Sequence, residues 1–384
     1  MRHLIVVAGL LLVAAMITAG PVGAKAARTI VVGPSQSIQA AVDSASPGDT
    51  ILVEPGTYTE AGHPCPTEPT VSCAVVVSKD NISLVGQGTA AHPVILQSNG
   101  SEDQGFAVAK SGDPACLTDR SQRIEGSLIS GFTVQGFSGS GILLYCADDW
   151  RVTGVTALDN YEYGIFPSHS GGGRVDHSLA TGSNDTGIYV GQSQGARLDH
   201  NTARGNVSGF EIENSTGVRA DDNTANDNTA GIVSFTLPFL DIKKNSDNQI
   251  DHNTVTNNNK ANTCPPGDDV CALPVGTGIL LVATATNEVD HNNVTGNDSF
   301  GIGVANFCVV THLPSLFCAG LDIDPNPDGN QILTNIATGN GLVPDPAIAP
   351  LPGADLLWDG TGADNCWQDN TANNTFPAPL PTCR

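Results

Sequence analysis

The chain has 384 residues, with 16 Lys and Arg against 39 Asp and Glu, and a formal net charge of −23. A surface this acidic lacks the basic footprint that phosphate binding needs, which excludes nucleic acid as a partner and disfavours anionic membrane surfaces. Only 5% of residues are aromatic and 14% charged, while 40% are hydrophobic, a balance that favours β-structure built from small residues over a helical bundle.

The N-terminus has the pattern of an export signal: Arg2, an apolar run from Leu4 to Ala19, and Ala24-Lys25-Ala26 as a small-x-small cleavage site. Cleavage after Ala26 would remove Arg2 and Lys25 and take the charge to −25. The expected divisions are a signal peptide (1–26), an N-terminal cap with the first coils (27–123), and repeats with disulfide-closed loops (124–384), the last two forming one continuous domain. A secreted or periplasmic location follows, with no membrane association after cleavage and a monomeric state. All ten Cys lie beyond the signal, an even number that reads as disulfides in an exported chain. Their spacing suggests five local pairs, Cys65–Cys73, Cys116–Cys146, Cys264–Cys271, Cys308–Cys318 and Cys366–Cys383, although other connectivities satisfy the count.

In Ser37 to Ala45 the apolar residues Ile38, Ala41, Val42 and Ala45 share one helical face. Pro47-Gly48-Asp49 then turns the chain into the strand-like Thr50-Ile51-Leu52-Val53. A short amphipathic helix here would cover the open end of a solenoid.

The solenoid itself is written in Asn. Of 30 Asn, 28 lie after residue 150. Asn201, Asn223, Asn253, Asn292, Asn335 and Asn370 recur in register, and a second Asn follows five residues later at Asn206, Asn228, Asn258, Asn297 and Asn340. Ser178 and Ser183 hold the same two places one coil earlier. Gly-Ile pairs separate these marks. Coil starts fall at Leu128, Arg151, Arg174, Arg197, Arg219, Gln249, Glu288, Gln331 and Cys366, in steps of 23, 23, 23, 22, 30, 39, 43 and 35. Each unit holds three runs with period-two alternation, too short for helices. A fixed unit of 22–23 residues with later insertions predicts a right-handed parallel β-helix, with neighbouring strands stacked at about 4.8 Å.

The segment from Ser37 to Tyr58 (SIQAAVDSASPGDTILVEPGTY), followed by Asn-marked Gly-Ile coils, resembles the secreted right-handed parallel β-helix proteins of the pectate-lyase-like superfamily. The resemblance covers nearly the whole chain after the signal. It implies the fold and, among members that are lyases, uronate epimerases or glycoside hydrolases, an activity on polysaccharide. It also includes copper-associated periplasmic members, but no Met remains after signal cleavage to bind Cu(I) and the Cys are expected to be paired.

Three insertions point to one face. Leu237–Asn248 and Asn306–Asn330 follow Gly-Ile strands, and Lys260–Gly276 precedes one, so all three flank the face those strands form. With each Ile turned inward, that face carries Tyr145, Phe166, Tyr189, Glu211, Glu213 and Phe235, with His169 and Gln192 at strand ends. The aromatic row reads either as a platform for sugar rings or as stacking that stiffens a sheet. Glu211 and Glu213 lie about 6.6 Å apart along one strand, within the window of about 6.5–9.5 Å for inverting glycosidases. The simpler reading, two solvated carboxylates, is the one preferred here, because two exposed acids on a surface this acidic need not differ in acidity.

Tyr163-Gly164-Ile165-Phe166-Pro167-Ser168-His169 resembles the Tyr-Gly-Phe-Asp-Pro-His segment of mannuronan C5-epimerases, in which Tyr and His serve as acid and base at the sugar C5. Tyr163, Gly164 and Pro167 match, Phe166 replaces the Asp, and His169 comes one residue late. On this reading Tyr163 and His169 are the catalytic pair, Tyr145 and Tyr189 hold the sugar, and Lys243 neutralises a uronate. The Asp-His pairs at 176–177, 199–200, 251–252 and 290–291 recur at one coil position and read as structural stacking. Asp322, Asp324, Asn326 and Asp328 place oxygens at alternate positions, as a Ca²⁺ loop would, although Pro327 stands where an EF-hand needs Gly. Two functions follow: lyase or C5-epimerase chemistry on an acidic polysaccharide, or a non-catalytic extracellular carbohydrate-binding or surface module.

Overall fold

The computed structural model describes residues 26–384, so all of the expected signal peptide except Ala26 lies outside the described residues. Ile38–Ser44 form the one helix of the N-terminal cap, and Ser37 caps it by accepting a hydrogen bond from the Ala40 amide at 3.0 Å. Glu60 secures the same turn, accepting from the Ser37 hydroxyl and the Ile38 amide at 2.6 Å each. Ile38, Ala41, Val42 and Ala45 are all buried against the first coils, as the spacing predicts.

Three stacked sheets of 12, 11 and 12 strands follow, parallel except for a short antiparallel pair at His63–Pro64. The chain visits each sheet once per coil, which makes the molecule a parallel β-helix. All nine coil starts pair with one another: Leu128 with Arg151, Arg151 with Arg174, and onward through Gln331 with Cys366. Insertions leave the register unchanged because they are extruded between strands. The core is built from inward columns of all three sheets, of which Ile142, Ile165, Ile188, Phe210, Ile232, Ile279 and Ile302 form one, each essentially inaccessible.

The Asn marks form two ladders. In the first, Asn201 to Asn370 pass side-chain amide hydrogen bonds from coil to coil at 2.9–3.1 Å. The second runs from Asn206 to Asn340 and ends on the Asp355 carboxylate at 3.0 Å. A third, through Asn248, Asn287, Asn330 and Asn365, was not anticipated. Each Asn also satisfies backbone groups at a corner where the ladder of strand hydrogen bonds is interrupted.

The coil-start arginines form an ion-pair ladder. Arg151, Arg174, Arg197 and Arg219 each grip the buried Asp of the following coil, Asp176, Asp199, Asp221 and Asp251, through two nitrogens at 2.5–2.9 Å. The neighbouring histidines bond to their own Asp and stack, His177 on His200 with ring centres 5.1 Å apart and His252 on His291 at 5.0 Å. The Asp-His repeats are therefore structural. All five disulfides form as the local pairs expected.

Candidate active site: a carboxyl pocket and an apolar pocket on the Gly-Ile sheet

The insertions fold back over the outer face of the Gly-Ile sheet and build a second apolar cluster there, around Val233, Phe235, Leu280, Val282 and Phe307. The register sets two outward columns on this face. Phe166, Tyr189, Glu211 and Val233 lie side by side on successive coils, as do Tyr145, Ser168, Gly191, Glu213 and Phe235.

The aromatic row forms, but as a packed cluster instead of an open platform. Phe166 stacks on Tyr189 with centroids 4.5 Å apart, and Tyr163 packs on Phe166 at 4.3 Å. Tyr189 is 3% exposed and Phe235 8%, while Tyr145 and Phe166 stay half-buried. Tyr189 folds over Gly191, where any Cβ would overlap its hydroxyl. That glycine is what lets the phenol reach Glu213 on the next coil, donating to Oε1 at 2.9 Å.

Glu211 and Glu213 are not solvated. They are 2% and 8% exposed, because Gly267–Val270, the tip of the Cys264–Cys271 loop, lies over them. Asp185 joins them from the preceding coil. The Thr186 hydroxyl bridges the two coils, lying 3.0 Å from Asp185 and in close contact with Glu211 Oε2. Tyr163, Asp185, Glu211, Glu213 and Phe235 line a pocket of about 170 Å³ with Asp268 and Asp269 at its rim.

Burial dominates the electrostatics here. Desolvation pushes Glu213 up to about 8 and Asp185 to about 7, and it raises Glu211 well above the usual carboxylate range, with Asp185 and Glu213 adding to that rise. The phenols of Tyr163 and Tyr189 are raised well above 10 by burial and the neighbouring carboxyls. Burial therefore favours the protonated form of Glu211 and Glu213 near pH 7, with Asp185 balanced between its two forms, in a chain whose net charge is −23. Asp185, Thr186 and the Asp268-Asp269 tip are absent from the sequence-level site. Coil arithmetic puts Asp185 at a strand entry, but nothing local marks it as buried, and the repeat does not constrain where a loop tip folds.

His169 lies elsewhere. It takes a left-handed backbone conformation (φ 53°) at the far end of the strand that Tyr163 enters, six residues or about 20 Å along the chain direction. It contacts Ser168 through Nδ1 at 2.9 Å and Asp241 through Nε2 at 3.2 Å, and stacks on Tyr145. Burial holds the imidazole below its ordinary value, although Asp241 opposes this. Tyr163 and His169 therefore do not converge on one carbon, which corrects the acid–base pairing drawn from the motif. Gln192 secures the loop beside His169 by accepting from the Asp241 amide at 2.9 Å.

Two further assignments change. Lys243 is not free for a uronate, since Asp322 holds its ammonium at 2.5 Å. The proposed Ca²⁺ loop does not gather: Asp322 also accepts from the Phe239 amide, Asp324 from Asn326, and Asp328 from the Ala363 amide. Asn326 accepts from Asn306. Among the described residues no group of three or more His, Cys, Asp or Glu is arranged to hold a metal ion.

Fold and cleft together define a β-solenoid with loops folded over one sheet to make a carboxyl-lined pocket. The right-handed β-helix region matches residues 105–239 and 140–313, more than half of the chain, and the chain belongs to that family. No curated relative matches it by sequence. The structure is similar to the A-module of a mannuronan C-5 epimerase of Azotobacter vinelandii, at 16% identity over 87% of this chain and 82% of that one, with a TM-score of 0.60. It is also similar to the tailspike of Escherichia coli bacteriophage HK620 in complex with a pentasaccharide (13% identity, 90% of this chain, 62% of that one, TM-score 0.58). A third likeness is to the DFA-IIIase of Arthrobacter chlorophenolicus (14% identity, 89% and 94%, TM-score 0.55). At these identities the likeness carries the fold and nothing finer. No helix among the described residues is long and apolar enough to cross a membrane.

Proposed function

We propose that the chain is an extracytoplasmic carbohydrate-active protein that acts on the glycosidic bond of a terminal sugar, with Asp185, Glu211 and Glu213 as its working carboxyls. Five disulfides support the location. The observation that carries the chemistry is the burial of three carboxyls from adjacent coils in one pocket, with the acidities of Glu213 and Asp185 moved to about 8 and 7. Glycosidic cleavage needs a carboxylic acid still protonated at working pH to protonate the leaving oxygen. It also needs a nearby carboxylate to assist at the anomeric carbon or activate water. Glu213 suits the first role, held by the Tyr189 hydroxyl, and Asp185, which titrates near neutrality, suits the second. Glu211 is linked to Asp185 through the Thr186 hydroxyl.

The pocket favours an uncharged sugar over a polyuronate. Carboxyls and tyrosines surround it, and Lys243, the cation expected to neutralise a uronate, is held by Asp322. Lyase or C5-epimerase chemistry would also need a base and an acid on one carbon, and Tyr163 and His169 are a strand apart. The test is release of reducing sugar or aglycone from a panel of neutral and acidic glycans and glycosides. Cleavage of neutral substrates should fall at least about 10²-fold in Glu213→Gln and Glu211→Gln. New vinylic proton signals from alginate or pectate would restore the lyase reading. Binding without turnover, unchanged in both variants, would mean a binding module.

A further inference from the structure

Next to the carboxyl pocket lies a larger cavity of about 370 Å³, and the two share Phe235, Gly267, Asp268, Asp269 and Val270 along their boundary. Its floor is Val233, Phe235 and Val282, from neighbouring coils of the Gly-Ile sheet. One wall is Val270 and Leu273, from the loop closed by Cys264–Cys271. The other is Phe307 and Val310, from the loop closed by Cys308–Cys318. A disulfide-closed ring anchors each wall, with Val270 and Val310 inside the rings, Leu273 just after the first and Phe307 just before the second, and the floor is paired sheet, so the fold itself braces the cavity.

We infer that this cavity is an aglycone subsite, taking the uncharged alkyl or aryl group of a glycoside whose sugar sits in the carboxyl pocket. The inference rests on the carbohydrate reading above and names its substrate class. Three observations commit it to that occupant. The lining is almost wholly aliphatic and aromatic, which suits hydrocarbon and gives sugar hydroxyls no partners. Of its polar members, Thr311 spends its hydroxyl on the Phe307 carbonyl at 2.7 Å, while Asp268 and Asp269 stand at the junction with the carboxyl pocket, where they repel an anionic group and leave the neutral one. And the continuity of the two pockets sets a polar end and an apolar end side by side, the arrangement of a glycoside about its anomeric oxygen. The Cys308–Cys318 loop also presents Leu316 and Phe317 to solvent, 83% and 65% exposed, so apolar surface continues beyond the cavity along the same loop.

The experiment is calorimetric titration of the disulfide-intact mature protein with octyl and methyl β-D-glucoside and octyl and methyl α-D-mannoside, below micelle formation. The same ligands are then given to Glu211→Gln, Ala272→Phe and Val310→Asp. Ala272 and Val310 line the cavity and neither lines the carboxyl pocket; Val310 also borders a small neighbouring cavity, so Ala272→Phe is the substitution that acts on the subsite by itself. Octyl glycosides should bind at least about 10-fold more tightly than their methyl counterparts, from burial of several methylenes. That preference should persist in Glu211→Gln and disappear in Ala272→Phe and Val310→Asp, with unchanged melting temperatures showing that both fold. Equal affinity for octyl and methyl compounds, or an octyl preference that survives both cavity variants, overturns the subsite even if glycosides are cleaved. An octyl preference without cleavage of any glycoside leaves the subsite standing and removes the catalytic reading instead.

Discussion

A buried carboxyl that stays neutral near pH 7 must leave its mark on stability, and Glu213 allows the size of that mark to be worked out. Its folded acidity is raised from 4.5 to about 8, chiefly by burial. Below pH 4.5 it is protonated in both folded and unfolded chains and the folded state bears no penalty. Between there and about pH 8 the unfolded chain ionises it freely while the folded chain cannot, so stability is lost as pH rises, by about 1.4 kcal/mol per pH unit. Over that window the loss reaches at most about 5 kcal/mol. Glu213→Gln keeps the volume and the acceptor for the Tyr189 hydroxyl but cannot ionise. Urea denaturation followed by circular dichroism at intervals from pH 5 to 9 should therefore show the wild type losing several kcal/mol more than the variant. The two should agree within about 1 kcal/mol at pH 5, and the variant should be the more stable at pH 9. Parallel stability curves would mean that Glu213 ionises normally in the fold, and the case for a protonated catalytic acid would go with them.

Other outcomes follow from the same geometry. Asn253→Ala removes a side chain that accepts from Asn223 at 2.9 and 3.0 Å and donates to Ala220 and Asn292 at 2.8 and 2.9 Å. Leaving those partners unpaired in a closed corner should cost about 3–5 kcal/mol, read from denaturant midpoints. Arg197→Ala strips the Asp221 carboxylate of its bidentate partner but leaves Arg219 3.6 Å away, so a smaller loss of about 1–3 kcal/mol is expected in the same measurement. Gly191→Ala should displace the Tyr189 ring and break its hydrogen bond to Glu213, lowering activity on glycosides and moving its alkaline limb while far-ultraviolet circular dichroism is unchanged. Opening the Cys264–Cys271 loop with paired serine substitutions should raise KM more than it lowers kcat, because the roof of the carboxyl pocket and one wall of the apolar cavity are loosened together.

The solenoid was legible because its rules are local and repeated. Coil starts, inward Ile, the Asn ladders through Asn253 and Asn258, the capping helix and the five short-range disulfides each depend on residues near in sequence or one coil away. Every additional coil restates the register. The third ladder, through Asn248, Asn287, Asn330 and Asn365, was equally available, since each stands one residue before a coil start. The sequence also pointed to the face that carries the insertions and to Glu211 and Glu213 as neighbours on it. What it could not decide was environment. Whether those two acids are solvated or neutral depends on where the tip at Asp268-Asp269 comes to rest, and a loop of that length obeys no repeat. Lys243 is a free cation on paper and an ion-paired one in the fold, because Asp322 arrives from an insertion 79 residues later. Desolvation sets the chemistry of this pocket, and burial is a property of the assembled loops, not of any strand that they cover.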